Sequence, residues 1–291
     1  MQQPEIEQLC RAVLPGTGSI DLRPLSAGLI SETYRVARDG VAYTLKVAAD
    51  ERPVGVDPAW ELAVVQQAGR IGVAPRVVFA DPERGVLIAR WVPGRSWSPQ
   101  EVKAAANLGK MAELLRKVHA LSVPTPPRMI TPLQWIEIYT RALSRRAIES
   151  DPALRTAALA RAELILEPPH VTGVVCHSDL HRENLLQQNE TLVLLDWEYA
   201  HVADPLWDLA GWTANNDLEA DVQSSLLTGY LGSAPSSSQW RRFRSLLWLY
   251  DYVCWLWNRL YLDLPREAEN GIAERTRFLD ARLRLPAHYA A

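Results

Sequence analysis

The hydrophobic positions in the first third of the chain recur in short runs that are separated by turn-forming residues. The predicted elements are an amphipathic helix that ends at Pro15 and Gly16, followed by strands over residues 20–25, 33–36 and 41–47. Arg38-Asp39-Gly40 separates the last two strands, which is typical of the turn of a β-hairpin. The N-terminal part is therefore expected to form an antiparallel sheet.

One helix is predicted within this strand region. Asp57 and Pro58 are typical of a helix N-cap and first residue, and Gly72 is expected to end the helix. Its apolar face is predicted to consist of Trp60, Val64, Ala68 and Ile71. A second hairpin follows over residues 76–79 and 86–91, and the break at Val92-Pro93-Gly94 ends the strand pattern.

After residue 93 the spacing of apolar residues becomes helical. Ser98, Pro99 and Glu101 form the pattern of a capping box, which predicts a helix from there to Leu121. Further helices are predicted over residues 133–149, 152–166 and 247–261. The chain therefore changes from strands to helices near residue 92.

Composition excludes several classes of function. The chain has 291 residues and a formal net charge of −3, and its Lys and Arg residues are scattered, which argues against binding nucleic acid. No signal peptide is visible, and the apolar stretch 246–260 is too short and too often interrupted to span a membrane. The three cysteines follow no disulfide or metal pattern. We expect a cytoplasmic protein with small-molecule partners.

The stretch between Cys176 and Trp212 contains candidate catalytic chemistry. Asp179 is followed five residues later by Asn184, and the apolar run 191–195 then leads to Asp196. Transfer of a phosphoryl group needs a carboxylate beside the acceptor hydroxyl and hard oxygen ligands for a divalent cation. Asp179 suits the first task, and Asn184 with Asp196 suits the second. The alternative for Asp179 is an ordinary surface-loop residue.

The motif His177-Ser178-Asp179, with Asn184 and Asp196 at these distances, resembles the catalytic and metal loops of the aminoglycoside phosphotransferase and choline kinase superfamily. The resemblance implies an α+β, bilobal protein-kinase-like fold, with a nucleotide-binding lobe over residues 1–92 and a helical catalytic and acceptor-binding lobe over residues 93–291. It also implies ATP or GTP as phosphoryl donor and Mg²⁺ held by Asn184 and Asp196.

Further residues match this family's nucleotide site. Lys46 is expected to contact the phosphates and Glu61 to hold that lysine, although a strand lysine usually faces solvent and Glu61 also suits a solvated helix N-terminus. The small-residue turn that contains Gly28 and Ser31 resembles a phosphate-binding flap, and taken alone it is an ordinary turn. The hinge that meets the adenine is expected at Arg90, Trp91 and Val92.

Two residues are expected to support the catalytic loop. His177 is predicted to brace the loop without taking part in the chemistry. Asp208 matches an aspartate that, in the family, accepts hydrogen bonds from the backbone of that loop. Both are therefore predicted to be scaffold residues.

Two segments bear on the identity of the acceptor. One is an Asp-Trp-Glu-Tyr segment that contains Glu198 and Tyr199, and the other is the aromatic helix 247–261. In choline kinases such a Tyr and a Trp-x-x-Trp pair contribute to an aromatic cage for quaternary ammonium, and Tyr199 and Trp257 match that pattern. The first Trp falls on Cys254, so the missing part is expected from Trp255 or Tyr252, with Asp251 as a counter-charge. The alternative is that these aromatic residues are core.

The predicted activity is ATP- and Mg²⁺-dependent transfer of the γ-phosphoryl group to a hydroxyl of a small cationic alcohol. Bacterial thiamine kinases share the Asp-Trp-Glu-Tyr-Ala segment, so choline, ethanolamine and thiamine all remain candidates. An aminoglycoside or sugar phosphotransferase is an alternative, although the arginine-rich stretch 133–166 argues against a polycationic acceptor. A non-catalytic nucleotide sensor is a third, and the presence of Lys46, Asp179 and Asp196 argues against it. The oligomeric state stays open.

Overall fold

The computed structural model describes residues 1–27, 31–48, 54–166, 172–262, 271–285 and 289. The N-terminal part contains two helices and five strands. In chain order these are α1 (Gln3–Val13), β1 (Asp21–Ala27), β2 (Ser31–Arg38), β3 (Val41–Ala48), α2 (Pro58–Arg70), β4 (Val77–Asp81) and β5 (Val86–Arg90).

The five strands form one antiparallel sheet in the order β1-β2-β3-β5-β4. The β2–β3 hairpin turns at Asp39 and Gly40, whose φ angles of 48° and 77° both lie in the left-handed region. A two-residue turn with this backbone matches the twist of the flanking strands, which is why Asn, Asp and Gly are favoured there. The predicted helix at the N-terminus and both predicted hairpins are confirmed.

The two faces of the sheet have different neighbours. Tyr43, Leu45 and Val47 of β3 are buried together with Ile6 and Cys10 of α1 in a small hydrophobic cluster. Successive side chains of a strand point to opposite faces, so Thr44 and Lys46 face the other way. They line a cleft on that second face. The strand alternation therefore aims Lys46 at the candidate site.

The rest of the described chain is mainly helical. Its helices are α3 (Ala105–His119), α4 (Pro132–Arg145), α5 (Pro152–Leu166), α6 (Leu206–Asn215), α7 (Ala220–Leu231), α8 (Ser237–Tyr261) and α9 (Ile272–Leu283). Two small antiparallel sheets pair β6 (Val174–Cys176) with β9 (His201–Ala203), and β7 (Leu185–Gln188) with β8 (Thr191–Leu194).

Helix α2 joins the two parts. Asp57 caps it by accepting hydrogen bonds from the N–H groups of Ala59 and Trp60 at 3.1 Å. Trp60, Val64 and Ala68 are buried in the large hydrophobic cluster that also contains the core of the helical part. Beyond α2, the Leu194 N–H donates to the Val73 carbonyl oxygen at 2.8 Å. The division at residue 92 stays a prediction, and α2 packs across it.

Some element predictions were wrong in detail. The capping box at Ser98 and Glu101 forms, with hydrogen bonds of 2.9 and 3.2 Å, but it begins only a 3-10 turn over Glu101–Lys103. Ala104 has extended backbone, with ψ of 129°, and α3 starts after it. Ile71 is 52% exposed because it lies past the end of α2 and does not share its buried face.

Helix α8 organises the helical part, since it packs against α4, α5, α6 and α9. Ser236 caps it in a capping box with Gln239, so the helix begins ten residues before the predicted start at residue 247. Strand β9 and helix α9 were not predicted. No described helix combines the length and apolar character that crossing a bilayer requires.

Candidate active site

The loop after β6 contains Asp179 and is held from below by Asp208. The Asp208 carboxylate accepts hydrogen bonds from the His177 N–H at 2.9 Å and the Ser178 N–H at 2.7 Å, and it lies 3.0 Å from His119 Nε2. Asp208 is fully buried. Burial favours a raised pKa, but the contacts with His119 and the loop N–H groups outweigh it and hold the pKa of Asp208 below its usual range. The carboxylate therefore stays ionised inside the protein.

Asp179 lies at the open side of this loop, with 31% of its side chain exposed. The Asn184 amide nitrogen donates to the carboxylate of Asp179 and to the backbone carbonyl oxygen of Asp179, both at 3.0 Å. Burial acts to raise the pKa of Asp179, yet the positive charge of His181 and the hydrogen bonds from His181 and Asn184 lower it overall. Asp179 is thus an ionised carboxylate with its orientation fixed.

Two histidines flank Asp179 in opposite charge states. Burial lowers the pKa of His177, whose ring links the Leu195 carbonyl oxygen at 2.8 Å to the Asp179 N–H at 3.3 Å. His181 lies near the carboxylates of Asp179 and Glu183, which raise its pKa to about 10 in spite of burial. A neutral His177 therefore spans the loop, and a cationic His181 lies beside the Asp179 carboxylate.

Asp196 follows β8 and meets a lysine from the other part of the molecule. Lys46 Nζ lies 2.5 Å from Asp196, 2.6 Å from Glu198 and 3.6 Å from Glu61. Burial acts to lower the pKa of Lys46, but the three carboxylates raise it well above its ordinary value. Glu61 is near Lys46 as the sequence suggested, while Glu198 makes the shorter contact.

The cluster holds more negative than positive groups. Burial and the nearby Asp196 carboxylate raise the pKa of Glu198 to about 8, and Lys46 offsets only part of that shift. The pKa of Glu61 is raised by burial as well. Three carboxylates around one lysine make this an environment that favours an additional cation.

A cleft of about 390 Å³ opens between the sheet and the helical part beside this cluster. It is lined on the sheet side by Thr44, Lys46 and Ala89, and on the other side by Asn184, Leu186 and Asp196. A mainly apolar slot that ends in charged groups is the usual form of a small-ligand site. Its size suits a nucleotide.

The donor set at the inner end of the cleft fits a divalent cation. The Asn184 amide nitrogen is used by Asp179, and no described residue donates a hydrogen bond to its amide oxygen. Asp196 adds a carboxylate that is 36% exposed at the cleft wall. Amide and carboxylate oxygens are the ligands that Mg²⁺ prefers. Asn184 and Asp196 are therefore suited to hold it.

The predicted hinge and flap residues are placed differently from one another. Trp91 and Val92 line the cleft, but Arg90 does not: its N–H donates to the Arg76 carbonyl oxygen at 2.8 Å, and its guanidinium lies over the Tyr43 ring. Alternation in β5 turns the Arg90 side chain away from the cleft, and the expected backbone contact of Arg90 with the adenine stays a prediction. Ser31 lines a smaller cavity of about 50 Å³, which Lys46 also lines. Gly28 lies outside the described residues.

An aromatic wall lies next to the catalytic loop, built from α4, α8 and the segment after Asp196. Trp257 Nε1 donates to the Tyr199 hydroxyl at 2.8 Å, and the Trp257 and Tyr261 rings are 4.5 Å apart. On α4, Trp135 stacks on Tyr139 at 5.5 Å. Burial raises the pKa of Tyr139 well above its ordinary value, and nearby Tyr261, Cys254, Asp179 and Glu198 add to that shift. The electrostatic influence of Asp179 on Tyr139 places this wall near the Asp179 carboxylate.

Three residues predicted to contact the acceptor lie elsewhere. Asp251 is fully buried and is bound by Arg282 and by the Tyr289 hydroxyl. The rings of Tyr252 and Trp255 stack on each other at 5.8 Å, and Tyr252 packs against Trp248. A helix turns by about 100° per residue, so Tyr252 and Trp255 lie on a different face from Cys254 and Trp257. Their assignment to the acceptor site was wrong. Glu198, which was also predicted to contact the acceptor, contacts Lys46.

Sequence reasoning also missed residues on α4 and β9. His201 is fully buried and accepts a hydrogen bond from the Trp135 indole N–H at 3.2 Å, while its other nitrogen lies 3.0 Å from Ser178 Oγ. Burial lowers the pKa of His201 to about 4. Trp135 and Tyr139 were visible only as apolar positions of a helix, and nothing in their spacing marks them as site residues.

The chain is similar in sequence to proteins of a known family. Residues 21–246 match the family model for the phosphotransferase enzyme family (APH). A thiamine kinase from Escherichia coli O6:K15:H31 is 30% identical over 210 residues, which are 69% of each chain. Protein LicA from Haemophilus influenzae is 38% identical over 68 residues, so the match spans only 23% of the length of that relative.

The fold also has solved counterparts. The crystal structure of a choline/ethanolamine kinase family protein from Mesorhizobium loti superimposes with a TM-score of 0.75 at 24% identity, covering 99% of this chain and 97% of that one. The predicted α+β fold of the protein-kinase-like type, with an antiparallel sheet followed by a mainly helical part, is confirmed.

Proposed function

The chain belongs to the phosphotransferase enzyme family, and from that premise we propose that it transfers the γ-phosphoryl group of ATP to a hydroxyl of a small cationic alcohol. The candidates are choline, ethanolamine and thiamine. The aromatic wall beside Asp179 carries the choice of acceptor class. A cation over such rings gains roughly 0.5 to 2 kcal/mol for each ring, so several rings together favour a charged alcohol over a neutral one.

In this proposal Asp179 orients the acceptor hydroxyl and takes its proton. The hydroxyl oxygen forms a bond to the γ-phosphorus while the bond from that phosphorus to the bridging oxygen breaks, which releases ADP. Asp179 suits the role because its pKa lies below the usual range and its carboxylate is free of protons at neutral pH. The nearby cationic His181 stabilises that charged form.

Lys46 is proposed to contact the phosphates, with Glu61 and Glu198 setting its position. A lysine held in place costs little reorganisation when negative charge builds up on the transferred group. Asn184 and Asp196 are proposed to hold Mg²⁺. Mg²⁺ held there would offset the negative charge that builds up on the transferred phosphoryl group.

Within the acceptor class, two observations favour a thiamine-type substrate. Cys254 stands where choline kinases have a tryptophan, so that ring of the quaternary-ammonium cage is missing at this position of α8. Curated relatives that match over 69% of the chain are thiamine kinases. Choline and ethanolamine are the alternatives to be ranked against it.

An acceptor screen tests the proposal. ADP release is measured in the presence of Mg²⁺ with choline, ethanolamine, thiamine, an N-acetyl sugar and kanamycin, beside the Asp179→Asn variant. We expect turnover above the variant with one or more of the three cationic alcohols, and the highest kcat/KM with thiamine. Turnover with kanamycin or the sugar alone contradicts the proposed acceptor class.

A further inference from the structure

Two side chains that the proposed reaction does not use hold the catalytic loop from the side opposite Asp208. The Tyr250 hydroxyl of α8 donates to the Ser178 carbonyl oxygen at 3.3 Å. The Asn215 amide nitrogen, at the end of α6, donates to the Leu180 carbonyl oxygen at 3.1 Å and to the Tyr250 hydroxyl at 3.0 Å. The carbonyl groups before and after Asp179 are thus held by one hydrogen-bonded pair.

The loop needs such support because its backbone is strained. Ser178 has a φ of 70°, in the left-handed region that non-glycine residues rarely adopt. A non-glycine residue in that region is strained and persists only when its surroundings impose the conformation. Asp208 binds the N–H groups of His177 and Ser178, and this leaves the carbonyl edge of the loop to other partners.

The Tyr250 ring packs closely against α6. Tyr250 is 2% exposed and packs against Trp207 with ring centroids 5.0 Å apart. A Cβ atom on Gly211 of α6 would lie 2.9 Å from Tyr250 Cε2, a distance that real contacts essentially never show. Glycine at this position therefore lets the ring approach α6 and brings its hydroxyl to the loop.

We propose that Tyr250 and Asn215 are positioning residues that orient the Asp179 carboxylate toward the acceptor hydroxyl by holding the carbonyl groups on either side of it. The inference rests on the proposed function, in which Asp179 takes the proton of the acceptor. Misplacing a reacting group by about 1 Å lowers a rate by up to about 100-fold. Loss of one of these hydrogen bonds therefore acts on the transfer step itself.

The Tyr250 hydroxyl is a donor throughout the working pH range. Burial raises the pKa of Tyr250 well above its ordinary value, and Cys254 and Asp179 add to the shift. Tyr250 therefore positions the loop without exchanging a proton with it, and its removal leaves the shape of the pH–rate profile unchanged.

The test compares Tyr250→Phe with Tyr252→Phe. Both tyrosines are buried in α8, and the Tyr252 hydroxyl makes no hydrogen bond to a described residue, so the second variant controls for loss of a buried hydroxyl. We expect Tyr250→Phe to lower kcat and kcat/KM together, by roughly 10-fold, with the nucleotide KM within about 2-fold. Tyr252→Phe is expected to keep the wild-type kcat.

A mutant cycle tests whether the two residues act as a pair. Asn215→Ala removes both of its hydrogen bonds and is expected to lower kcat at least as much as Tyr250→Phe. Because the residues share a hydrogen bond, the double variant is expected to lose less than the product of the two single effects. If the loss of kcat in the double variant equals the product of the two single losses, the residues act independently, and the proposal that they act as a pair is wrong.

Amide hydrogen exchange gives a readout that needs no acceptor. We expect faster exchange of the amides of residues 177–182 in Tyr250→Phe than in Tyr252→Phe. An unchanged kcat, or unchanged exchange, in Tyr250→Phe overturns the proposal. If the wild-type protein phosphorylates no acceptor at all, the proposed function fails, while the exchange measurement still decides whether Tyr250 and Asn215 hold the loop.

Discussion

At the scale of single residues, the two aspartates of the catalytic loop differ in their surroundings. Asp179 has 31% of its side chain exposed, whereas Asp208 is fully buried and contacts three partners. A partly buried carboxylate at the edge of a cleft contributes less to folding than a fully buried one that satisfies backbone N–H groups. The same substitution therefore has different consequences at the two positions.

Replacing Asp179 by asparagine is expected to lower kcat by about 10²- to 10⁴-fold, because the proton acceptor is lost. The melting temperature and the nucleotide KM are expected to stay near wild type, since Lys46 and Asp196 are untouched. Steady-state kinetics and thermal unfolding check both. Asp208→Ala is the contrast and is expected to reduce stability by on the order of 3 kcal/mol. A stable, fully active Asp179→Asn enzyme contradicts the assignment.

His201 is expected to make stability depend on pH. Its folded pKa of about 4 lies below its ordinary value of 6.5, because burial and the Trp135 N–H at its Nε2 both oppose the charged form. Between pH 6.5 and pH 4, His201 binds a proton in the unfolded chain but not in the folded protein. The stabilisation is therefore fully present above pH 6.5 and is lost as the pH falls toward 4.

Chemical unfolding at pH 7 and pH 5 measures this effect. The wild-type protein is expected to lose about 2 kcal/mol of its free energy of unfolding through His201 over that range. His201→Gln keeps polar atoms but cannot titrate, so its free energy of unfolding is expected to change less between the two pH values. An equal change in both proteins shows that other groups cause the dependence.

At the scale of elements, α8 serves several neighbours at once because its side chains point in all directions along 25 residues. One face meets the catalytic loop through Tyr250 and the aromatic wall through Trp257. Another face binds Arg282 of α9 through Asp251, and Tyr252 and Trp255 pack beside it. Residues only two positions apart therefore belong to the site and to the core.

The two faces give a matched pair of tryptophan variants. Trp257→Leu is expected to raise the acceptor KM by roughly 2- to 30-fold, through the loss of one cation–π contact, without changing the nucleotide KM. Trp255→Leu is expected to lower the melting temperature and leave both KM values near wild type, because Trp255 is 4% exposed and packs on Tyr252. Kinetics with the acceptor found in the screen decide the comparison.

At the scale of the whole molecule, the sheet and the helical part meet at the nucleotide cleft. Lys46 comes from β3, and its partners Asp196 and Glu198 follow β8. A further contact crosses nearby, from the Leu194 N–H to the Val73 carbonyl oxygen. The cleft therefore depends on both parts of the chain being packed together.

Binding of ATP with Mg²⁺ is expected to stabilise this arrangement. A ligand at 100 times its Kd adds about 2.7 kcal/mol to the stability of the folded state. Lys46→Met is expected to weaken that stabilisation and to lower kcat, and a chelator is expected to weaken it in the wild-type protein. Thermal unfolding with and without ATP, Mg²⁺ and chelator checks this. Equal stabilisation of Lys46→Met and wild type contradicts the role of Lys46.

Local features of this fold follow from the sequence alone. Three such features are the Asp39-Gly40 hairpin, the Asp57 cap and the contact between Asp179 and Asn184. Each depends on residues that are close in the chain, and such residues can contact each other in many different folds. The family resemblance assigned Lys46 to the nucleotide site, and alternation in β3 places it on the cleft side of the sheet in the structure.

Only the tertiary structure decided which distant residues meet. Lys46 and Glu198 are 152 positions apart, and Tyr250 and Ser178 are 72 apart, so no local pattern relates them. The periodicity of α8 showed that its aromatic residues form separate faces, but a helix does not record which face its neighbours cover. That choice depends on the packing of α4, α6 and α9 around it, which is a property of the folded chain.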